Sequence, residues 1–98
     1  MPIGKVSDTI TATGNIQRGS TNLKSGILTG IFADAVTDAG TVVLREGGSG
    51  GTVIFPTIRV ATASTFAISG LEIAYVAPLH ATIDDTNTTL VVTTDEGT

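Results

Sequence analysis

The side chain best suited to acid–base chemistry in this sequence is its single histidine, His80. A catalytic histidine needs a nucleophile and an orienting acid close to it. The chain contains 18 Thr, so that some hydroxyl would lie near almost any point of the fold. A neighbouring hydroxyl therefore carries little information, and we interpret His80 as a structural or surface residue. The absence of cysteine excludes disulfides, thiolate nucleophiles and cysteine-ligated metals.

The glycine run Gly47–Gly51 is the second feature that suggests chemistry. A phosphate-binding loop needs Lys and Ser or Thr directly after its last glycine, and a helix must follow. Here the segment Thr52–Phe55, which has the composition of a strand, follows instead. We therefore interpret the run as a flexible hairpin loop.

Acidic and amide side chains form two groups that could supply oxygen ligands to a hard cation. Asp34 and Asp38 form the first group, and Asp84, Asp85 and Asn87 form the second. Neither group has the spacing of an EF-hand loop, and such residues also form turns by bonding their own backbone. We predict no metal site, no cofactor and no catalytic residue, and hence a protein that is not an enzyme.

The elements that must position these side chains are strands. The 98 residues include 18 Thr, 10 Ile and 9 Val, and side chains branched at Cβ favour a pleated, half-buried surface. The 12 Gly supply turns and bulges. Apolar alternation, with turn signals roughly every 8–12 residues, predicts about seven or eight short strands. The predicted fold class is all-β, an antiparallel β-sandwich of jelly-roll-like character.

Length and charge limit the classes of function. We predict one β-sandwich domain over residues 1–98, with the first few and the last few residues forming extended arms. Five Lys and Arg against nine Asp and Glu give a formal net charge of −4, which argues against a nucleic-acid partner. No apolar run approaches the roughly 20 residues of a membrane helix, so no membrane-spanning role is expected.

Two segments carry apolar side chains on both strand faces, namely Leu23–Ala33 and Thr88–Thr94. One face of a sandwich strand normally meets solvent, so a second apolar face predicts contact with another copy or another protein. The candidate interface residues are Leu28, Phe32, Leu90 and Val92. The expected core residues are Ile10, Ile27, Ile31, Leu44, Ile54, Ile68, Ile73 and Val91.

The most distinctive stretch is Gly40–Val53, which reads GTVVLREGGSGGTV. It is preceded by Gly26–Phe32 (GILTGIF) and followed by Phe66–Leu71 (FAISGL). Over roughly residues 20–95 this arrangement resembles small all-β structural proteins of the virions of tailed bacteriophages. Many of those proteins continue with a Gly-Leu-Tyr-Val element, where this chain has Ala77–Thr82 (APLHAT).

The resemblance implies a capsid decoration or cement protein, which binds across neighbouring capsid subunits and stabilises the head. It also implies a homo-oligomer, a trimer by analogy, whose partner is the major capsid protein or another virion protein. Such a protein is made in the cytoplasm of the host bacterium and ends on the capsid surface. Two alternatives remain open: a tail, neck or fibre component, and a small carbohydrate-binding module with the loops Gly47–Gly51 and Asp84–Asn87 as its binding edge.

Overall fold

The computed structural model describes residues 5–35, 38–84 and 88–96. Within these ranges the secondary structure consists of strands, which confirms the all-β prediction. The strands are β1 (Lys5–Val6), β2 (Gly14–Asn15), β3 (Gln17–Arg18), β4 (Thr21–Asn22), β5 (Gly26–Ala35), β6 (Gly40–Glu46), β7 (Thr52–Val53), β8 (Ile58–Val60), β9 (Ser64–Tyr75), β10 (Leu79–Ile83) and β11 (Thr88–Glu96). The described ranges hold eleven strands rather than seven or eight, because five of them have only two residues. No helix in these ranges is long and apolar enough to cross a membrane.

The strands form two main sheets and one small hairpin. The four-stranded sheet has the order β1-β11-β5-β9. The five-stranded sheet has the order β2-β10-β6-β7, with β8 also paired to β6, and β3 pairs with β4. Every pair among the described strands is antiparallel.

One cluster of buried apolar side chains draws on both main sheets. Leu28 and Ile31 of β5 contribute from the four-stranded sheet, and Leu44 of β6 and Leu79 of β10 contribute from the five-stranded sheet, all of them 0% exposed. The predicted core residues Ile31 and Leu44 are therefore confirmed. Four more predicted core residues pack against the cluster while partly exposed: Ile10, Ile54, Ile68 and Ile73. The prediction was wrong for Ile27, which is 39% exposed, and for Val91, which lies on the opposite face of its strand from buried Val92.

The alternation of Val6, Ile10, Ala12 and Ile16 predicts one continuous strand over Val6–Gln17 with these residues on one face. The structure instead breaks this segment into short pieces. β1 pairs with β11 in one sheet, whereas β2 pairs with β10 in the other. The chain therefore passes from one sheet to the other, and the apolar alternation does not follow one face. Val6 is 59% exposed while Ile16 is buried, so a shared face was the wrong interpretation.

Glycine and proline residues mark where strands end or turn, and the structure agrees with them. The β6–β7 pairing of Arg45 with Val53 confirms the predicted hairpin around the glycine run. Pro56 and Pro78 both lie between strands, as expected for a residue without a backbone N–H donor. A Cβ at Gly26 would lie 2.5 Å from the carbonyl oxygen of Asp95, so the close approach of β5 to β11 at this position requires glycine.

Candidate functional site

Three of the four candidate interface residues are core residues. Leu28, Leu90 and Val92 are 0%, 1% and 0% exposed, so they are not accessible to a partner of the folded chain. The reason is the two-residue period of a strand, which places these side chains on the side facing the other sheet. Phe32 lies on the opposite side of β5 and is half-buried. The interface assignment is thus wrong for three residues, and Phe32 remains a candidate.

The strand register shows which residues share that side with Phe32. Phe32 lies beside Val91 of β11 and Ala67 of β9. One row further along, Gly30 lies between Thr93 and Ser69. We call this side of the four-stranded sheet the outer face. Its members from the register are Val6, Ile27, Gly30, Phe32, Asp34, Thr65, Ala67, Ser69, Ala74, Thr89, Val91, Thr93 and Asp95.

Hydroxyl and carboxylate groups border the apolar centre of the outer face. The Oγ1 atoms of Thr29 and Thr93 are 2.9 Å apart and share a hydrogen bond. The Thr65 hydroxyl donates to Oδ1 of Asp34 over 2.7 Å. Three acidic residues lie on the outer face within the described ranges: Asp34, Asp95 and Glu72, the last of which shares its side of β9 with Ala74. A half-exposed aromatic centre with a polar border is the composition of a protein-docking surface.

His80 lies in a cavity on the other sheet, under the glycine run. The cavity of about 510 Å³ is lined by Gly14, Asn15, His80 and residues 47–50. The imidazole is only 7% exposed, and its Nδ1 is buried without a hydrogen-bond partner in the described part of the chain. Burial lowers the pKa of His80, and the positive charge of neighbouring Arg45 lowers it further. His80 is therefore a buried imidazole beside a cation, and its lowered pKa favours the neutral form.

We expect the buried imidazole to make stability depend on pH. The pKa of His80 in the folded chain lies below its ordinary value of 6.5. The unfolded chain therefore takes up the proton first, and stability falls as pH drops below about 6.5, by at most about 1.4 kcal/mol per pH unit. Urea unfolding between pH 7.5 and 5 measures this slope.

In the same pH series, His80→Gln should remove the slope between pH 6.5 and 5. The carboxyls with lowered pKa values, Asp8, Asp84 and Glu96, start from ordinary values of 4.5 or below. Their contribution to stability is therefore lost only at lower pH. An unchanged slope in His80→Gln would contradict the burial of a neutral His80.

The two acidic groups do not converge on a cation site within the described residues, where no cluster of three or more His, Asp or Glu side chains is found. Asp84 instead accepts a hydrogen bond from the backbone N–H of Thr41 over 2.7 Å. Hydrogen bonds from Thr41 lower the pKa of Asp84. Asp85 and Asn87 lie outside the described residues. Asp84 lines a different cavity from the glycine run, so the described parts of the two loops do not form one binding edge.

Three of the five cationic side chains, scattered in the sequence, come together in a cleft of about 320 Å³. Lys5, Arg18 and Lys24 line it together with Glu96. Arg18 forms an ion pair with Glu96 and also donates to the carbonyl oxygen of Val6 over 3.0 Å. Burial raises the pKa of Glu96, but hydrogen bonds from Arg18 and the Lys24 backbone outweigh it, and the net pKa is lowered. These contacts of Arg18, Lys24 and Glu96 connect the β3–β4 hairpin to β1 and to the end of β11.

The sequence alone missed both the outer face and this cleft. Alternation within Thr88–Thr94 already placed Thr89, Val91 and Thr93 together, which was a usable signal for the outer face. The neighbours from β5 and β9, like the cations around Glu96, depend on strand pairing and have no local signal. No protein-family model, curated protein or solved structure matches the chain.

Proposed function

We propose that the protein is a structural component of a tailed-phage virion, a capsid decoration or cement protein that docks on the shell through the outer face. Two lines support the proposal. The first is the resemblance carried by Gly40–Val53 and its flanking segments. The second, which carries most weight, is the outer face itself, where Phe32 and Val91 are partly exposed and the neighbouring Val6 and Ile27 are 59% and 39% exposed.

The chemistry of the outer face fits docking better than catalysis. Its centre is apolar, and its border offers threonine hydroxyls that can bond a partner or an interfacial water. Asp34 and Asp95 favour a partner surface that is neutral or basic at the matching positions. A protein of this kind works by association: because it binds only the assembled shell, it stabilises that shell by mass action.

The proposal includes the finer architecture. The two main sheets share one buried cluster, as the layers of a β-sandwich do, and we take the jelly-roll-like arrangement as part of the resemblance. The homotrimer is likewise implied by the resemblance, and we propose it for the copies docked on the shell. Several copies docked together would make weak single contacts sufficient for stable decoration.

Co-sedimentation with capsid shells tests the docking function. The shells are assembled from the major capsid protein encoded nearest to this chain. We expect the native chain to sediment with them and to raise their melting temperature. Phe32→Asp should weaken binding by about 2 kcal/mol or more, roughly 30-fold in Kd, because a charge replaces the aromatic anchor at the centre of the interface.

The matched control is Thr57→Asp, which adds the same charge at an exposed residue next to β8 of the five-stranded sheet. It should bind like the native chain. Circular dichroism should show both variants folded, because Phe32 is only half-buried. Binding of Phe32→Asp at native strength would show that the outer face is not the docking surface. Failure of the native chain to bind shells would refute the decoration function.

A further inference from the structure

β9 lies at one edge of the four-stranded sheet and pairs only with β5 in the described part of the chain. It has 12 residues, whereas β1 at the opposite edge has two. A long edge strand presents a row of unpaired N–H and C=O groups, which protein folds usually protect with charges, proline or a bulge. The segment Ser64–Ser69 contains no charged residue and no proline. Half of β9 is therefore an unprotected edge.

The core beside this edge is also incompletely closed. Phe66 and Ile68 of β9 pair with Ala33 and Ile31 of β5 and face the core with them. Ala33 and Ile31 are 0% exposed, yet Phe66 and Ile68 are only half-buried. Apolar side chains at the rim thus remain in contact with water beside a free strand backbone.

We propose that Ser64–Ser69 is a self-association edge, to which the same segment of a second copy of this chain adds in antiparallel orientation. The pairing joins two four-stranded sheets into one and covers the rim side chains of both copies. It uses the backbone groups at the edge of the sheet, whereas docking uses the side chains of the outer face, and the two are tested in separate assays.

The lengths of the other edge strands indicate that the strand pairing with the free edge of β9 is β9 of a second copy. The remaining edge strands in the described ranges have two or three residues: β1, β2, β3, β4, β7 and β8. None of these can pair along the whole of Ser64–Ser69, whereas the identical segment of a second copy can. A strand paired to its own copy about a twofold axis is antiparallel and closes as a dimer.

The charge of Glu72 and the bend of the backbone at Gly70 limit the length of strand that can pair with a second copy. The single charged residue of β9, Glu72, lies beyond Gly70. Gly70 has a positive φ of 75°, and the register between β5 and β9 shifts between Leu28 and Gly30, so the strand bends there. Six straight residues span about 20 Å, and an interface of that length is smaller than the typical value of roughly 800 Å² per partner. The dimer should therefore be weak and reversible.

Sedimentation velocity over a dilution series of the full chain, from roughly 1 µM to roughly 1 mM, tests the proposal. We expect a reversible monomer–dimer equilibrium. The double variant Ala67→Lys with Ser69→Lys should weaken the dimer at least tenfold, because it sets like charges against each other across the twofold axis. The control, Thr9→Lys with Thr11→Lys, makes the same charge change at exposed residues outside the strands and should dimerise normally.

Hydrogen exchange on the native chain provides a readout that requires no substitution. Backbone amides in Ser64–Ser69 that β5 leaves free should exchange more slowly at high concentration, while those of Thr52–Val53 at another edge should not change. A monomer throughout the dilution series would overturn the proposal, as would a trimer, or a dimer equally stable in the Ala67→Lys and Ser69→Lys variant. The assay contains no capsid. A negative result would therefore not contradict the docking function, which the co-sedimentation experiment tests separately.

Discussion

Val92→Asp should prevent the chain from folding. Val92 is 0% exposed and lies beside Ile31 in the centre of the four-stranded sheet, facing the buried cluster. A carboxylate there loses its hydration without gaining a partner, at a cost of several kcal/mol. Natural domains are stable by only about 5–15 kcal/mol, so this single change removes much or all of the stability. Circular dichroism and urea unfolding measure the loss.

The matched variant is Val91→Asp, one residue earlier on the same strand. Val91 is half-exposed on the outer face beside Phe32, so an aspartate there keeps its hydration. We expect a folded protein that loses about 1 kcal/mol at most, as is usual for surface substitutions. If Val91→Asp unfolded the chain and Val92→Asp did not, β11 would have to be displaced by one residue from the register described.

Gly51→Ala should be the most damaging single-methyl change in the glycine run. A Cβ at Gly51 would overlap the carbonyl oxygen of Glu46 and lie 3.1 Å from the carbonyl oxygen of Gly48. The backbone of Glu46 belongs to the β6–β7 ladder, so it cannot move without disturbing the pairing of Glu46 with Thr52. We expect a loss of about 2 kcal/mol or more in urea unfolding.

Gly50→Ala is the control, because nothing lies within 4 Å of a Cβ placed there. Its stability should stay within roughly 1 kcal/mol of the native value, since alanine also reduces the freedom of the unfolded chain. Equal stability of Gly51→Ala and Gly50→Ala would contradict the close approach of Gly51 to Glu46.

Features that depend on neighbouring residues were predictable from the sequence. The β-branched composition gave an all-β chain, the glycine run gave the hairpin of Arg45 with Val53, and Pro56 and Pro78 fell between strands. Each of these follows from the backbone preferences of a few adjacent residues. The break-up of Val6–Gln17 was not predictable, because the same apolar alternation fits a single strand and a chain that crosses between sheets.

The residues of Thr88–Thr94 were enough to predict a strand with Leu90 and Val92 on one side and Val91 on the other. Those residues could not show which side of the strand is buried. Both sides carry apolar side chains, so the alternation fits burial of either side equally well. Sequence reasoning chose Val91 for the core and Leu90 and Val92 for the interface, and the fold has the reverse. Only pairing with β5 and burial against the five-stranded sheet decided the orientation, because a shift of one residue would exchange every side chain between the two faces.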